Sequence, residues 1–218
     1  HVNFNLVFKQ LFIVIFFALP LSLHSQSVVH VPIHGTIDMG LPNYIQRAVT
    51  IAEADSAKFI IFDIDTFGGR VDAATQIKDM ILSSDVATIA FINRRAISAG
   101  ALISLSCDSI YMTDGATIGA ATAVDAEGEK ASEKVISYMR EEMAASAEAN
   151  GRSREIAQAM VDEEIEIDFI ISVNNDTLNG GEIEGFNSGK LITLSTDLAL
   201  KSGIADAQVE SFLDLLKK

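Results

Sequence analysis

This chain has little of what most often carries catalysis or cross-linking. It has no tryptophan, one cysteine, three prolines and four histidines, and the last histidine is His34. A single cysteine cannot close an internal disulfide, so it gives no sign of an oxidising compartment. Cys107 lies in the apolar run 101–110 and reads as a small core residue rather than a reactive thiol. With no histidine after His34, a Ser-His-Asp triad would need His30 or His34 to reach over from the first strand. No His/Cys ligand spacing supports a metal site. Positive charge is also scarce: 16 Lys and Arg stand against 30 Asp and Glu, a net charge of −14. That balance argues against nucleic acid as a partner and against a surface built for anionic lipid.

What is present begins with a long apolar stretch. Hydrophobic residues make up 49 % of the chain, and part of the excess lies in 6–23. A start carrying Lys9, an apolar core over 11–19, the helix breaker Pro20 and small polar residues after it follow the layout of a secretory signal. The uninterrupted apolar part is shorter than the ~20 residues of a membrane span. Residues 1–26 are therefore expected to be a signal peptide or membrane anchor. Residues 27–218 then form one domain, secreted across the inner membrane and periplasmic or membrane-associated on the extracytoplasmic side.

From Ser27 onward, short β-rich runs alternate with amphipathic helices. Strands are expected at 28–33, 58–64, 86–92 and 109–112, with a further segment at 117–120. The second and third are continuous apolar runs, as in strands buried on both faces. Helical spacing is expected over 41–54, 72–83 and 98–106. A long helix spans 132–150 and closes at Gly151 in the usual position after the last turn. Ser153 caps another helix through Val161. The acidic 162–168 reads as a solvated edge. Strands follow near 165–173, 182–186 and 191–195, with a turn at 174–176. Thr196-Asp197 opens a helix over 198–202, and a last amphipathic helix is expected over 208–216. The alternation predicts an α/β layered domain with much parallel pairing.

Two segments stand where an apolar strand hands over to a helix. One is Asp65-Thr66-Phe67-Gly68-Gly69-Arg70; the other is Ala96-Ile97-Ser98-Ala99-Gly100-Ala101. Ser98 at such a handover is a candidate nucleophile, and the backbone N–H of Ala99 is a natural oxyanion donor. Gly68 and Gly69 let backbone N–H groups approach a substrate carbonyl without side-chain obstruction, and could also hold an extended peptide. Without histidine the base must be another group. Lys134 lies near the start of a helix, where the positive dipole end disfavours an ammonium, and Val135 and Ile136 could add desolvation. Lys130 is the rival, held less firmly in the Gly-containing loop 124–130.

These motifs, in this order, resemble the membrane-associated serine proteases of the NfeD type. That family lies within the ClpP/crotonase superfamily and is related to signal peptide peptidase A. The family's Asp-Thr-Pro-Gly-Gly-Arg appears as residues 65–70, and its Ala-Ser-Ala-Gly as Ile97-Ser98-Ala99-Gly100. Its Gly-Ser/Thr-X-Ile-Gly-Ala corresponds to 116–120. The helix that carries the family's lysine opens with Lys134 and ends at Asn150-Gly151-Arg152. Later matches lie at 189–195 and 199–206. The family proline is Phe67 here, which frees φ and adds bulk beside the expected substrate groove of Phe67 and Gly68.

The resemblance implies a ClpP/crotonase-like ββα superhelix and an extracytoplasmic serine endopeptidase with a Ser98–Lys134 dyad. It implies an oxyanion hole from the N–H groups of Gly69 and Ala99, and no cofactor or metal. Substrates would be hydrophobic segments of membrane proteins, such as stomatin-like partners, cut by a homodimer or higher oligomer. The alternative is a non-catalytic scaffold of the same fold that binds stomatin-like membrane proteins. A crotonase-type acyl-CoA enzyme fits poorly, since no basic patch is evident for its phosphates.

Overall fold

The computed structural model describes residues 27–124, 127–171, 177–180, 186 and 189–218. The expected signal or anchor segment, the turn at 174–176 and nearly all of the strand expected at 182–186 lie outside them. The chain opens with β1 (Val28–Ile37), α1 (Leu41–Ala54), β2 (Phe59–Gly69), α2 (Val71–Leu82), β3 (Thr88–Ile97) and α3 (Ala99–Leu105). There follow β4 (Ser109–Met112), β5 (Thr117–Gly119), α4 (Glu133–Ala149), α5 (Arg154–Ala159), β6 (Phe169–Ile171) and β7 (Thr177–Asn179). The described chain closes with β8 (Thr193–Ser195), α6 (Thr196–Lys201), β9 (Ala207–Gln208) and α7 (Phe212–Leu215).

The central sheet runs β1-β2-β3-β4-β9 with every pairing parallel, as the alternating pattern predicted. β3 changes partners along its length. Ile89 to Ile92 pair with β4, and Arg95 to Ile97 pair with β5, which in turn takes β8 antiparallel. The end of β3 that leads into Ser98 is therefore held on both sides.

The continuous apolar run of β2 is explained by two cores. Ile60, Phe62 and Ile64 face the helices in the main core, with Val31, Ile33, Ala90, Ile92 and Leu102. Ile61 faces the other way, into a smaller cluster of Ile89, Phe91, Val209 and Leu215, against which Phe59, Tyr111 and Phe212 pack. With both faces covered, the period-two alternation of a one-sided sheet disappears. Each such large apolar side chain contributes about 1.5–3 kcal/mol on burial.

Helices match their expected positions closely. α1 begins with Pro42 in its first turn, where the missing N–H costs nothing, and buries Ile45, Ala48, Val49 and Ala52. α4 lies between Ser132 and Asn150, and Gly151 follows at φ 71°. Ser153 caps α5, its hydroxyl accepting the Ile156 N–H at 3.2 Å. α5 ends at Ala159, short of Val161.

Three strands, β1, β2 and β3, run longer than their composition suggested, while β6 and β8 are shorter than the strands expected over 165–173 and 191–195. β1 does not stop at His34-Gly35; Gly35 takes φ 80°, the register shifts there, and pairing resumes to Ile37. β2 continues through Asp65 to Gly69, and β3 through Asn93-Arg94-Arg95. These stretches are only partly paired and carry mostly polar side chains, so side-chain character conceals them. At the carboxyl end, Ala207–Gln208 pair with Tyr111–Met112 as a strand, and the helix is only Phe212–Leu215. Of the acidic stretch 162–168, Asp162 is buried and accepts a hydrogen bond from Arg140.

One buried cation ties the end of α4 to the rest. Arg152 donates to the carbonyls of Ile204 (3.0 Å), Cys107 (2.9 Å) and Asp108 (3.2 Å), and to the Asp206 carboxylate at 3.0 Å. Cys107 is wholly buried beside it, and desolvation pushes its thiol far above the ordinary range. It is a core residue, as expected.

Candidate active site

The geometry around Ser98 is set by backbone. Ile97 ends β3, Ala99 begins α3, and Ser98 between them takes φ 56° and ψ −119°. A non-glycine residue there costs about 1–3 kcal/mol and persists only where its surroundings over-determine it. Here its N–H donates to the Gly119 carbonyl at 3.0 Å, and its carbonyl accepts from Ala101 at 2.9 Å and Leu102 at 3.3 Å. The N–H of Ser98 is thus already used. That of Ala99, first residue of the helix, stands at the orphan end where no intrahelical acceptor exists.

β2 meets this turn at Gly68. A Cβ on Gly68 would lie 2.6 Å from Ser98 Cβ and 3.1 Å from its Oγ, and φ is 107°. Only glycine allows the two segments to approach so closely. A Cβ on Gly69 would lie 2.1 Å from the Ile37 carbonyl oxygen, so β1 presses against this strand from the other side. Sequence reasoning overlooked the residue that joins these pieces. Thr66 is buried, its Oγ1 donates to the Gly35 carbonyl at 2.5 Å, and the same oxygen accepts the Gly68 N–H at 2.9 Å. Its methyl group sits 2.5 Å from where a Gly100 Cβ would be. One hydroxyl and one methyl therefore link β1, the glycine pair and the serine helix. The available signal was a threonine inside the extended β2, where alternation turns its side chain inward.

Phe67 points the opposite way, with 73 % of its surface exposed. The Arg95 guanidinium lies 4.4 Å from its ring centroid and makes an ion pair with Asp65 at 3.2 Å. Two open clefts flank the ring. One of about 350 Å³ is lined by Gly35, Thr36, Asp65, Gly68 and Arg94 among others. The second, about 440 Å³, reaches Asn93, Arg94, Ile97, Asp114 and Thr117. The sequence showed 93–95 only as a polar break; in the structure they are a wall.

Lys134 is placed differently. It lies in the first turn of α4 and is exposed, while Ile136 turns into the core and Val135 faces outward at 37 % exposure. These two neighbours do not bury Lys134. Val135 and Tyr138 line a further cleft of about 550 Å³ with Arg70, Val71, Asp72 and Thr75, just past the glycine pair. Lys134 thus belongs to the helix end that borders this cleft, but no hydrogen bond joins it to Ser98. The rival Lys130 pairs with Glu163 at 3.1 Å, and that hydrogen bond holds its ammonium above the ordinary range. A group stabilised as a cation is a poor proton acceptor.

The two described histidines are engaged elsewhere. His30 and His34 both turn Nε2 toward the Asp63 carboxylate, at 3.2 and 3.4 Å, and His30 lies against Phe212. Among the described residues no group of three or more His, Cys, Asp or Glu side chains could hold a metal ion. Among them, too, no helix is long and apolar enough to cross a membrane.

Comparison with known proteins follows the same lines. Residues 27–218 match the model of the NfeD1b N-terminal domain family. The chain is 34 % identical over 193 residues to the membrane protein NfeD1b of Bacillus subtilis (strain 168), covering 88 % of this chain and 41 % of that protein. It is 29 % identical over 221 residues to the membrane-bound protease PH1510 of Pyrococcus horikoshii, covering 97 % and 44 %. The chain spans less than half the length of these curated relatives. Among solved structures, a lysine-to-alanine variant of the 1510-N membrane-bound stomatin-specific protease, in complex with a substrate peptide, superposes with TM-score 0.72. That match has 26 % identity and covers 90 % of this chain and 81 % of the other. A ClpP1 variant of Listeria monocytogenes superposes at TM-score 0.58 and 22 % identity over 85 % of this chain and 94 % of its own, which shows a shared fold. With its ClpP-like α/β sheet and a family match running from residue 27 to residue 218, the chain belongs to the NfeD1b N-terminal domain family.

Proposed function

We propose that this domain is a serine endopeptidase in which Ser98 attacks a peptide carbonyl and Lys134 is the base. The observation that carries the reading is the backbone of Ser98, held in a strained strand-to-helix turn with Gly68 packed against its side chain. Such a turn presents a hydroxyl at the end of a sheet and leaves adjacent N–H groups to meet the developing oxyanion. Lys134, as the neutral amine, takes the Ser98 proton as the hydroxyl oxygen bonds to the carbonyl carbon. It returns that proton to the leaving amine, and water then resolves the acyl-enzyme. The N–H groups of Gly69 and Ala99 would hold the oxyanion, each worth roughly 3–4 kcal/mol of barrier. Phe67 and Gly68 would border the peptide.

The relative's name supports the substrate class: 1510-N is called a stomatin-specific protease. By that likeness we assign hydrophobic segments of membrane proteins, stomatin-like ones included, as substrates of a homodimer or higher oligomer. We place the domain on the extracytoplasmic side, behind a signal or anchor over 1–26. Lys134 must come within hydrogen-bond reach, roughly 2.6–3.2 Å of Ser98 Oγ, once substrate or a second copy is bound.

One observation favours the second reading, a scaffold that binds stomatin-like proteins without cutting them: Lys134 is exposed and makes no hydrogen bond to Ser98. The deciding experiment incubates the 27–218 domain with apolar peptides from membrane proteins, beside Ser98→Ala and Lys134→Ala. Cleavage by the parent that both variants lose, with folding intact, establishes the dyad. An inert parent that still captures peptides establishes the scaffold, and equal cleavage by all three rejects both residues.

A further inference from the structure

The clefts on the two sides of the Ser98 turn differ in chemistry. Past the glycine pair, Val71, Val135 and Tyr138 offer apolar surface. Before it, the clefts around Phe67 are polar and carry arginine. Arg94 lines both of them. Arg95 is already matched by Asp65 and the Phe67 face. Arg94 is exposed and makes no ion pair among the described residues. Asp114 is the single carboxylate on the farther wall of the second cleft. On a chain of net charge −14, two guanidiniums against two carboxylates leave this surface locally neutral, and Arg94 is the cation that faces both clefts.

We propose that Arg94 and the Phe67–Arg95 stack form a subsite for an acidic side chain of the peptide, next to the apolar residues that fill the far cleft. This rests on the peptidase reading and narrows it: the preferred segment is apolar on one side of the scissile bond and carries Glu or Asp on the other. A guanidinium recognises a carboxylate through paired N–H donors. Phe67 supplies a flat surface for the acidic residue's methylene groups and keeps Arg95 oriented. The local cation also offsets the repulsion an acidic peptide meets from the rest of the molecule.

The test separates binding from cutting. Labelled peptides of one apolar sequence, with Glu, Gln or Lys scanned through the flanking positions, are titrated into the Ser98→Ala variant at low and high salt. At one flank the Glu peptide is expected to bind about 3–5-fold tighter than the Gln peptide at low salt, as partly exposed ion pairs do, and to lose that preference at about 1 M salt. Adding Arg94→Gln removes the preference, and adding Arg94→Glu turns it toward the Lys peptide. The subsite is overturned if the preference survives in both Arg94 variants, if Gln or Lys binds best to the parent site, or if no peptide binds. Cleavage of the same peptides by the Ser98 parent reads the other claim. Charge-selective binding without cleavage keeps the subsite and sinks the peptidase; cleavage blind to charge does the reverse.

Discussion

The two halves of the proposed dyad stand in contrasting surroundings. Ser98 is pinned by its own backbone: a ladder on each side of β3, an N–H bonded to Gly119 and a glycine packed against its Cβ. Lys134 has none of this. The far end of its helix is anchored by Asn150, which donates to the Leu105 carbonyl at 2.9 Å, and by the buried Arg152 network, while the near end carries the lysine into solvent. Midway, Lys78 joins Glu142 at 2.7 Å and holds α4 to α2. A nucleophile can be built from contacts between neighbouring strands, because backbone geometry alone aims it. A base on a long flexible side chain needs something more to hold it, which under the proposed mechanism bound substrate or a second copy would supply.

The strongest way to break the contrast is chemical. Ser98→Ala should abolish peptidase activity, about 10⁴-fold or more, with the melting temperature little changed, because alanine keeps the same backbone and Cβ. Lys134→Ala should lose as much activity at full stability, because an exposed residue carries no packing. A melting temperature lowered by several degrees in the lysine variant would contradict the exposed placement. Next in size, Gly69→Ala drives a methyl into the Ile37 carbonyl and should cost about 3 kcal/mol in urea unfolding. On the lysine's side, Arg152→Ala leaves buried carbonyls unpaired and should cost about 3 kcal/mol as well, yet spare kcat in the molecules that remain folded. A kcat that falls with Arg152 would show that the helix anchor positions the base after all.

Thr66→Val sharpens the comparison from the other direction. It keeps the shape against Gly100 but removes both hydrogen bonds, so kcat should drop about tenfold with KM little changed, and Thr66→Ser should recover most of it. A loss in Thr66→Ser with Thr66→Val unimpaired would mean the methyl, not the hydroxyl, is what matters. The smallest effect concerns Ser153, which caps α5. Ser153→Ala should cost about 1 kcal/mol at neutral pH. The Glu155 carboxyl is held below its ordinary range by its own backbone N–H and then by the Ser153 hydroxyl. A depressed carboxylate contributes stability above its unfolded value and loses it as pH falls through the folded one. The gap between parent and variant should therefore narrow in acid, as thermal melts between pH 7 and pH 3 would read.

Helices were plain in the sequence because their signals are local. Pro42, the Ile45–Ala48–Val49–Ala52 spacing, Ser132 and Gly151 each act within a turn or two, and each marks its helix end to within a residue. The extended tails of β2 and β3 were hidden, since Asp65, Thr66 and Arg95 pair through main chain across irregular registers while the side chains of these stretches look like loop. The carboxyl-terminal pattern misled for a related reason: Ala207–Gln208 are strand only because β4 offers them a free edge. A two-residue strand has no periodicity of its own.

The sequence by itself determined the α/β alternation and the boundaries of the longer helices, since apolar runs, caps and glycines act over short range and say so in composition. That Ser98 meets the glycine pair was expected only from the resemblance of its motifs to a family. Tertiary structure alone decided that Thr66 bolts three segments together, that Phe67 stacks under Arg95 beside an exposed Arg94, and that Lys134 stands in solvent. Those outcomes depend on which residues strand register and helix packing bring face to face, and pairing between distant segments leaves no mark on either one alone.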